Sequence, residues 1–370
     1  MSTNYKKLGD YITQRREKNT TINLPICGLC REGLIPPKQQ DADISLYNVF
    51  YKNDFIFNPA RMELNSITLN TEYDKAICSS LYEIFYINDT SKLLPEFLFV
   101  QLKTDNFVRF CEFQGQGSVR EYCRFANISE YPVIVPDLKE QEKIVNTYNA
   151  ITKRIQLKQK INENLEKTAQ CLFDELNINK ESFEEKTIAE ISNSVICGKT
   201  PSTAIKEYWG NDIPFITIPD MHGKNFISQT ERYLSQEGKS SQENQTLPPK
   251  SICVSCIATV GLVSITTTIS QTNQQINSII CKEGISPFYV FMTLKGMNEE
   301  LKRLGAGGST TLNISKSLFS SIKIAIPNKK EMDLFENEIS PIFDSILMNE
   351  KEISKLQELK QLVISRISGM

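Results

Sequence analysis

Residues 131–136 read Tyr-Pro-Val-Ile-Val-Pro and lead into a charged, helix-forming segment that runs to about Ile178. Residues 321–327 read Ser-Ile-Lys-Ile-Ala-Ile-Pro and lead into a second such segment that runs to residue 370. Pro136 and Pro327 stand 191 residues apart, and at the same offset Gly117-Ser118 falls on Gly308-Ser309, Ile151 on Ile342, Lys160 on Lys351 and Leu165 on Leu356. A fixed period signals repeated architecture, and here the period has the size of a domain. The chain therefore reads as a two-part unit, a globular domain followed by a long helix, written twice.

The helical segments carry the clearest pattern. In the second, Phe335, Ile339, Ile342, Ile346, Asn349, Ile353, Leu356, Lys360, Val363 and Ile367 step by alternating fours and threes. The equivalent positions in the first are Ile144, Tyr148, Ile151, Ile155, Lys158, Asn162, Leu165, Ala169, Leu172 and Leu176. This is one heptad register, the seam of a coiled coil. Roughly 35–40 residues at about 1.5 Å each make a rod about 55–60 Å long. Antiparallel pairing with Ile144 opposite Ile367 puts Asn162 opposite Asn349, where a buried amide pair would fix register at some cost in stability. Ser340-Pro341 interrupts the second segment and predicts a kink or a fresh helix start.

The globular parts read as mixed. Asp54–Asn58, Ala76–Ile87, Ile213–Ile218, Ser251–Thr259 and Ile276–Cys281 have β-type composition, while Pro95–Phe110 and Pro287–Leu304 have helical spacing opened by proline. With 370 residues, 40% hydrophobic content and no continuous apolar stretch or leader-like start, a cytoplasmic protein without a membrane span is expected. The ten scattered cysteines fit reduced thiols. The net charge is −2, from 42 basic and 44 acidic residues, so any binding to DNA must rest on local patches or on partner subunits.

Enzyme-like strings are weak. Gly198-Lys199-Thr200 lacks the glycine that a phosphate loop needs five positions earlier, where Asn193 stands. Asp220, Glu237 and Lys239 resemble the acid and lysine set of an Mg²⁺-dependent nuclease, the alternative reading from another class. Cys27/Cys30 and Cys253/Cys256 are Cys-x-x-Cys pairs in separate domains, which favours buried structural thiols over zinc. His222 is the single histidine. Asn58-Pro59-Ala60-Arg61 lacks the second proline and the aromatic of an amino-methyltransferase motif. Neither a metal site nor a catalytic set is expected in this chain. What remains is recognition chemistry in polar loops: Asn58, Arg61, Ser118, Arg120 and Arg124 in the first half. The second half offers Lys199, Thr200, Ser202, Thr203, His222, Lys224, Thr259, Asn273, Gln274, Gln275, Ser309, Thr310, Thr311 and Asn313. Arg, Asn and Gln suit base edges, and Ser, Thr and Lys suit phosphates.

These residues resemble a family. Residues 5–12 (YKKLGDYI), 57–61 (FNPAR), 78–87 (CSSLYEIFYI) and 117–122 (GSVREY) look like one target-recognition domain. Residues 198–203 (GKTPST), 213–223 (IPFITIPDMHG), 251–265 (SICVSCIATVGLVSI), 270–280 (SQTNQQINSII) and 308–316 (GSTTLNISK) look like another. Together with the repeat, they make the chain similar over nearly its full length to the specificity subunit of Type I restriction–modification systems. The resemblance implies an α+β fold: two similar mixed α/β target-recognition domains, joined by two long antiparallel helices in a coiled coil with pseudo-two-fold symmetry. The expected division is 1–136 and 179–327 for the recognition domains, and 137–178 and 328–370 for the helical spacers. It implies no catalysis in this chain, double-stranded DNA as ligand, and two methyltransferase subunits as partners, with restriction subunits joining them. S-adenosylmethionine, ATP and Mg²⁺ are expected in those partners. The divergence of the two domains predicts an asymmetric bipartite target. A stand-alone DNA-binding or scaffold protein is the other alternative.

Overall fold

The computed structural model describes residues 5–21, 23–30, 33–37, 43–115, 122–178, 183–306 and 312–369. The chain forms two units, Met1–Gln156 with Lys355–Met370, and Leu157–Ser354, so each holds one stretch of both long helices.

The first unit begins with β1 (Lys6–Lys7) and β2 (Ile12–Arg15), then the hairpin β3 (Ile26–Cys30) and β4 (Gly33–Ile35). It continues through β5 (Asn48–Tyr51), β6 (Phe55–Phe57), β7 (Ile67–Leu69), β8 (Lys75–Cys78) and β9 (Glu83–Ile87). Helices α1 (Pro95–Leu102), α2 (Asp105–Gly115) and α3 (Phe125–Ser129), strand β10 (Pro132–Val133) and the start of α4 (Leu138–Leu176) complete it. The antiparallel sheet β2-β9-β6-β7 is the centre. Side chains alternate across a strand. Phe55, Phe57, Phe85 and Ile87 thus enter the core shared with the helices, while Ile56 and Ile84 pack towards the second sheet, β4-β3-β8-β5. Phe55 and Phe85 stack with ring centroids 4.8 Å apart. The helical core also takes Ile144 and Tyr148 of α4 and Ile364 and Ile367 of the second long helix. Lys360 lies over the Tyr148 ring at 4.6 Å. Strand β10 closes the unit by pairing antiparallel with β1.

The second unit repeats this plan with β11 (Glu184–Thr187), α5 (Ile188–Ile191), β12 (Ser192–Cys197), β13 (Trp209–Ile216), α6 (Ile218–Met221), β14 (Phe226–Ile227), β15 (Arg232–Leu234) and α7 (Gln236–Ser240). Then come β16 (Ile252–Ser255), β17 (Val263–Thr266), β18 (Gln271–Thr272), β19 (Ile276–Cys281), α8 (Pro287–Gly296), α9 (Asn298–Gly305), α10 (Lys316–Ser321), β20 (Lys323–Ile326) and α11 (Lys329–Gly369). Its central sheet, β12-β19-β16-β17, has the strand order and antiparallel pairing of the first, with β14 added parallel to β17. Alternation again splits two cores: Ile252, Val254 and Cys256 face the helices, and Cys253 faces Ile216, Met221 and Leu247. Strand β20 closes on β11.

Several sequence expectations change in detail. The run Ala76–Ile87 is two strands, because residues 79–82 turn, with the Tyr82 N–H donating to the Ser79 carbonyl at 3.0 Å. The helix expected over Pro95–Phe110 breaks between Leu102 and Asp105, where the Thr104 hydroxyl accepts from the Phe107 N–H at 3.2 Å. Its counterpart breaks at Met297. Helix α11 does not restart at Pro341 but runs through it. Proline removes the hydrogen bond to the carbonyl four residues back. That carbonyl belongs to Asn337, and both residues are exposed, on the solvent side of the helix.

Candidate nucleic-acid interface

In both units the loops after the first strand of the central sheet, before the second, after the third and before the fourth gather at one end of that sheet. The register requires it: Arg15 pairs with Ile84 and Phe57 with both Glu83 and Ile67 in the first unit; Cys197 pairs with Asn277 and Ser255 with Ile276 in the second.

In the first unit this end carries Asn58 and Arg61 after β6. Asn58 is an N-cap whose Oδ1 accepts from the Ala60 N–H at 3.1 Å, so part of its polarity is spent on structure; Arg61 is exposed. The segment beginning at Tyr122 joins them, with the Cys123 N–H donating to the Pro59 carbonyl at 3.0 Å. Glu83 binds the cluster together. It accepts from the Phe125 N–H at 2.7 Å and from Gln14 Nε2 at 3.3 Å, and pairs with Arg124 at 3.5 Å. Gln14 and Arg16, whose Nε donates to Gln14 Oε1 at 2.8 Å, belong to this end although no sequence signal singled them out. Ser118 and Arg120 lie outside the described residues.

In the second unit the approach is tighter. The Lys199 N–H donates to the Thr272 carbonyl at 2.9 Å, and Thr200 Oγ1 donates to Gln274 Oε1 at 2.7 Å. A Cβ on Gly198 would lie 2.1 Å from Thr272 Oγ1 and 2.2 Å from the Asn273 carbonyl, so only glycine allows this contact. Thr259 and Asn313 are exposed beside one another's segments, since residues 257 and 313 form a β-bridge. The polar string at 270–275 is largely internal: Ser270, Gln271 and Thr272 are fully buried and Asn273 nearly so, with the Asn273 and Gln275 amides bonded to each other at 3.0 Å. Only Gln274 is exposed and Gln275 half-buried. His222 and Lys224 are exposed, and the Lys224 carbonyl accepts from Ser264 Oγ at the start of β17. Ser202 and Thr203 are exposed on the loop that Trp209 Nε1 reaches at Ser202. Ser309, Thr310 and Thr311 lie outside the described residues.

The nuclease alternative finds no support in its residues. Asp220 is buried with both oxygens engaged, accepting from Thr217 N and Oγ1 and from the Glu231 N–H at 2.7–2.8 Å. Lys239 pairs with Glu243 at 2.9 Å. Among the described residues no group of three His, Cys, Asp or Glu side chains is placed to hold a metal ion. Cys253 in β16 and Cys256 just after it are buried in different cores, and burial pushes their thiols up to about 12 and about 11. No described helix is long and apolar enough to cross a membrane.

The helix pair carries the remaining expected positions. In the first unit Ile144, Tyr148, Ile151 and Ile155 are buried, and Leu356 and Val363 partly so. In the second, Ile339 and Ile346 are buried and Leu165, Leu172, Ile342 and Ile353 partly so. There Asn349 Nδ2 donates to Asn162 Oδ1 at 2.7 Å, both residues being buried. Lys158 Nζ donates to Asn349 Oδ1 at 2.9 Å and pairs with Glu352 at 2.9 Å. Phe343 lies outside the heptad seam yet is buried, because α11 also packs on its own domain, where Phe343 stacks on Phe288 at 4.6 Å.

Comparison with known proteins agrees with this architecture. A family model described as the Type I restriction modification DNA specificity domain matches residues 37–167 and again 180–362. The HindI Type I restriction enzyme specificity subunit of Haemophilus influenzae is 30% identical over 376 residues, covering 81% of this chain and 82% of that protein. The MjaIX specificity subunit of Methanocaldococcus jannaschii is 33% identical over 193 residues, half of this chain and 44% of its own. The crystal structure of a Type I restriction–modification S subunit from M. genitalium shares the fold, with a TM-score of 0.67 at 14% identity over 99% of this chain and 96% of that one. Two matched copies spanning most of the sequence, on two units with one strand order, establish that the chain belongs to the Type I restriction–modification DNA specificity family.

Proposed function

We propose that this chain is the non-catalytic, DNA-reading subunit of a Type I restriction–modification complex, and that its two units read the unlike halves of an asymmetric bipartite target. One observation supports this above the others: the same four strand ends of the same sheet carry loops of different chemistry in the two units. The first offers Asn58, Arg61 and Arg124; the second offers Lys199, Thr200 and Gln274. In this reading residues 1–136 and 179–327 recognise bases, and helices 137–178 and 328–370 set the spacer between half-sites. Two methyltransferase subunits bind around them, bringing S-adenosylmethionine. Restriction subunits add ATP and Mg²⁺ chemistry. Partners that supply phosphate-facing surface explain a reader with a net charge of −2.

The test is to express the chain with its modification subunit in a methylation-free host and map methyladenine by single-molecule sequencing. An asymmetric two-part motif that disappears with this gene is the expected result; a palindromic motif contradicts it. Inserting whole helical turns between Lys158 and Glu163 should lengthen the spacer and leave both half-sites intact. Half-sites that change at constant spacer would sink the ruler.

A further inference from the structure

The second unit contains a buried amide pair that its reading face does not display. Gln271 is fully buried and Gln242 is 9% exposed. Gln242 Nε2 has two acceptors, the Lys199 carbonyl at 2.9 Å and Gln271 Oε1 at 2.7 Å. Gln271 Nε2 is within reach of the Lys239 carbonyl at 3.1 Å, the Gln242 carbonyl at 3.2 Å and Thr246 Oγ1 at 3.0 Å. The pair thus ties the segment around α7 to the backbone of Lys199 on one side and to β18 on the other. From Lys199 the connection continues outward. Its N–H is held by the Thr272 carbonyl, and the next residue, Thr200, donates through Oγ1 to Gln274 Oε1 at 2.7 Å. With Oε1 taken, exposed Gln274 presents its Nε2, which no acceptor among the described residues engages.

We infer that Gln242 and Gln271 are positioning residues for the second half-site, and that they set, through Lys199 and Thr200, the donor-outward orientation in which Gln274 meets DNA. The inference rests on the function proposed above. A side-chain amide held with its donors outward selects a base that offers a major-groove acceptor, guanine, thymine or (through N7) adenine, over cytosine, which offers only a donor there. Without the Gln242 amide, the Lys199 carbonyl and the buried Gln271 Oε1 lose their donor, and Lys199 is left with its N–H on the Thr272 carbonyl as its anchor. Without the Thr200 hydroxyl, the Gln274 amide is free to turn over and offer its oxygen instead. Both changes act on one base position from different places in the chain.

The experiment compares wild type, Gln242→Leu, Thr200→Val and the core variant Val254→Ala, each co-expressed with the modification subunit and mapped by methyladenine sequencing. The expected result is that Gln242→Leu and Thr200→Val lose about tenfold in discrimination at the same position of the second half-site, about 1.4 kcal/mol. The first half-site and the spacer stay unchanged in both, and Val254→Ala keeps the wild-type motif. An unaltered second half-site in Gln242→Leu overturns the inference. So does relaxation that reaches the first half-site, or loss of all methylation in both variants, because the inference confines the damage to one choice of base. If wild type itself directs no methylation, the proposed function fails, and that outcome is distinct from all of these.

Discussion

The two units attach their proline-led helix to the long helix by different chemistry at equivalent places. In the first, Gln141 of α4 is fully buried; its Oε1 accepts from the Leu94 N–H, and its Nε2 donates to the Lys92 and Pro136 carbonyls, all at 2.8 Å. In the second, the position 191 residues on is Met332, buried and apolar, and the tie moves one turn along α11. There Ser286, the N-cap of α8, donates to the Glu336 carboxylate, which also accepts from Ser340 Oγ at 2.7 Å. The same substitution of means appears next to it. Gln101 Nε2 donates to the Ile134 carbonyl in one unit, and Tyr289 Oη donates to the equivalent Ala325 carbonyl in the other, both at 2.7 Å. Backbone groups that need a partner are kept, while the side chains that satisfy them are free to change.

This difference predicts unequal sensitivity. Gln141→Ala leaves one N–H and two carbonyls without their side-chain partner; each is worth about 1–3 kcal/mol where water is excluded, and because these bonds are only part-buried a loss near the low end of that sum, about 3–5 kcal/mol, is expected. Met332→Ala removes only packing and should fall at about 2–4 kcal/mol. Hydrogen exchange at the first turns of α1 and α8 reads each joint separately. The comparison breaks if Gln141→Ala loosens α1 no more than Met332→Ala loosens α8.

A second contrast lies along the helix pair, between the aliphatic layer of Ile144 and Ile367 in the first unit and the amide layer of Asn162 and Asn349 in the second. Asn162→Ile strands the Asn349 amide and should cost about 1–3 kcal/mol. Replacing both by Ile should recover that loss or exceed wild type, with a coupling energy of about 1–2 kcal/mol in the double-mutant cycle by chemical denaturation. Additive losses would mean that the two amides do not depend on each other.

The same region carries a pH response of its own. Burial, and then the Glu166 charge, push the Glu350 carboxyl up to about 7, against the Phe226 and Asn225 N–H groups and Lys224, which pull it down. A carboxyl raised in the folded state holds its proton there after the unfolded chain has lost it, so stability falls as pH rises from about 4.5 to about 7. Glu350→Gln should remove this slope and stabilise the protein above pH 7 by on the order of 1–3 kcal/mol. Thermal midpoints measured from pH 5 to 8 decide it, and a slope that persists in Glu350→Gln assigns the effect elsewhere.

How much of this was readable beforehand follows from the kind of signal. The heptads are long and repeat at a fixed offset, so the helices and the positions of Asn162 and Asn349 could be read from spacing alone. The turn at 79–82 could not, because Ser-Ser-Leu-Tyr contains no glycine, proline or asparagine. Of the kink or fresh start read at Pro341, the fresh start does not occur, since a proline costs less where the residue whose carbonyl it frees is exposed. At the candidate interface, the polar composition of 270–275 was visible but its direction was not. Gln271 and Gln274 are the same residue type three positions apart, one wholly inside and one outside, and only the sheet register separates them.

The smallest contrast is at the entrance of each unit. Thr187 caps α5 through a reciprocal pair: its Oγ1 accepts from the Glu190 N–H at 3.2 Å, and the Glu190 carboxylate accepts from the Thr187 N–H at 2.7 Å. Lys7, at the corresponding start of the 3₁₀ turn Leu8–Asp10, makes no side-chain cap. Thr187→Ala should therefore cost about 1 kcal/mol, the usual worth of such a cap, and Lys7→Ala should remove no cap at all. Protection of the Ile188 and Leu8 amides is the fitting measurement. Ile188 donates to the Ile322 carbonyl and Leu8 to the Tyr131 carbonyl, both at 2.9 Å, so each amide reports the closure of its own unit. If the two amides respond alike, the cap is not what closes the second unit. If only Ile188 loosens, the second unit relies on a local cap where the first holds by its strand pairing alone.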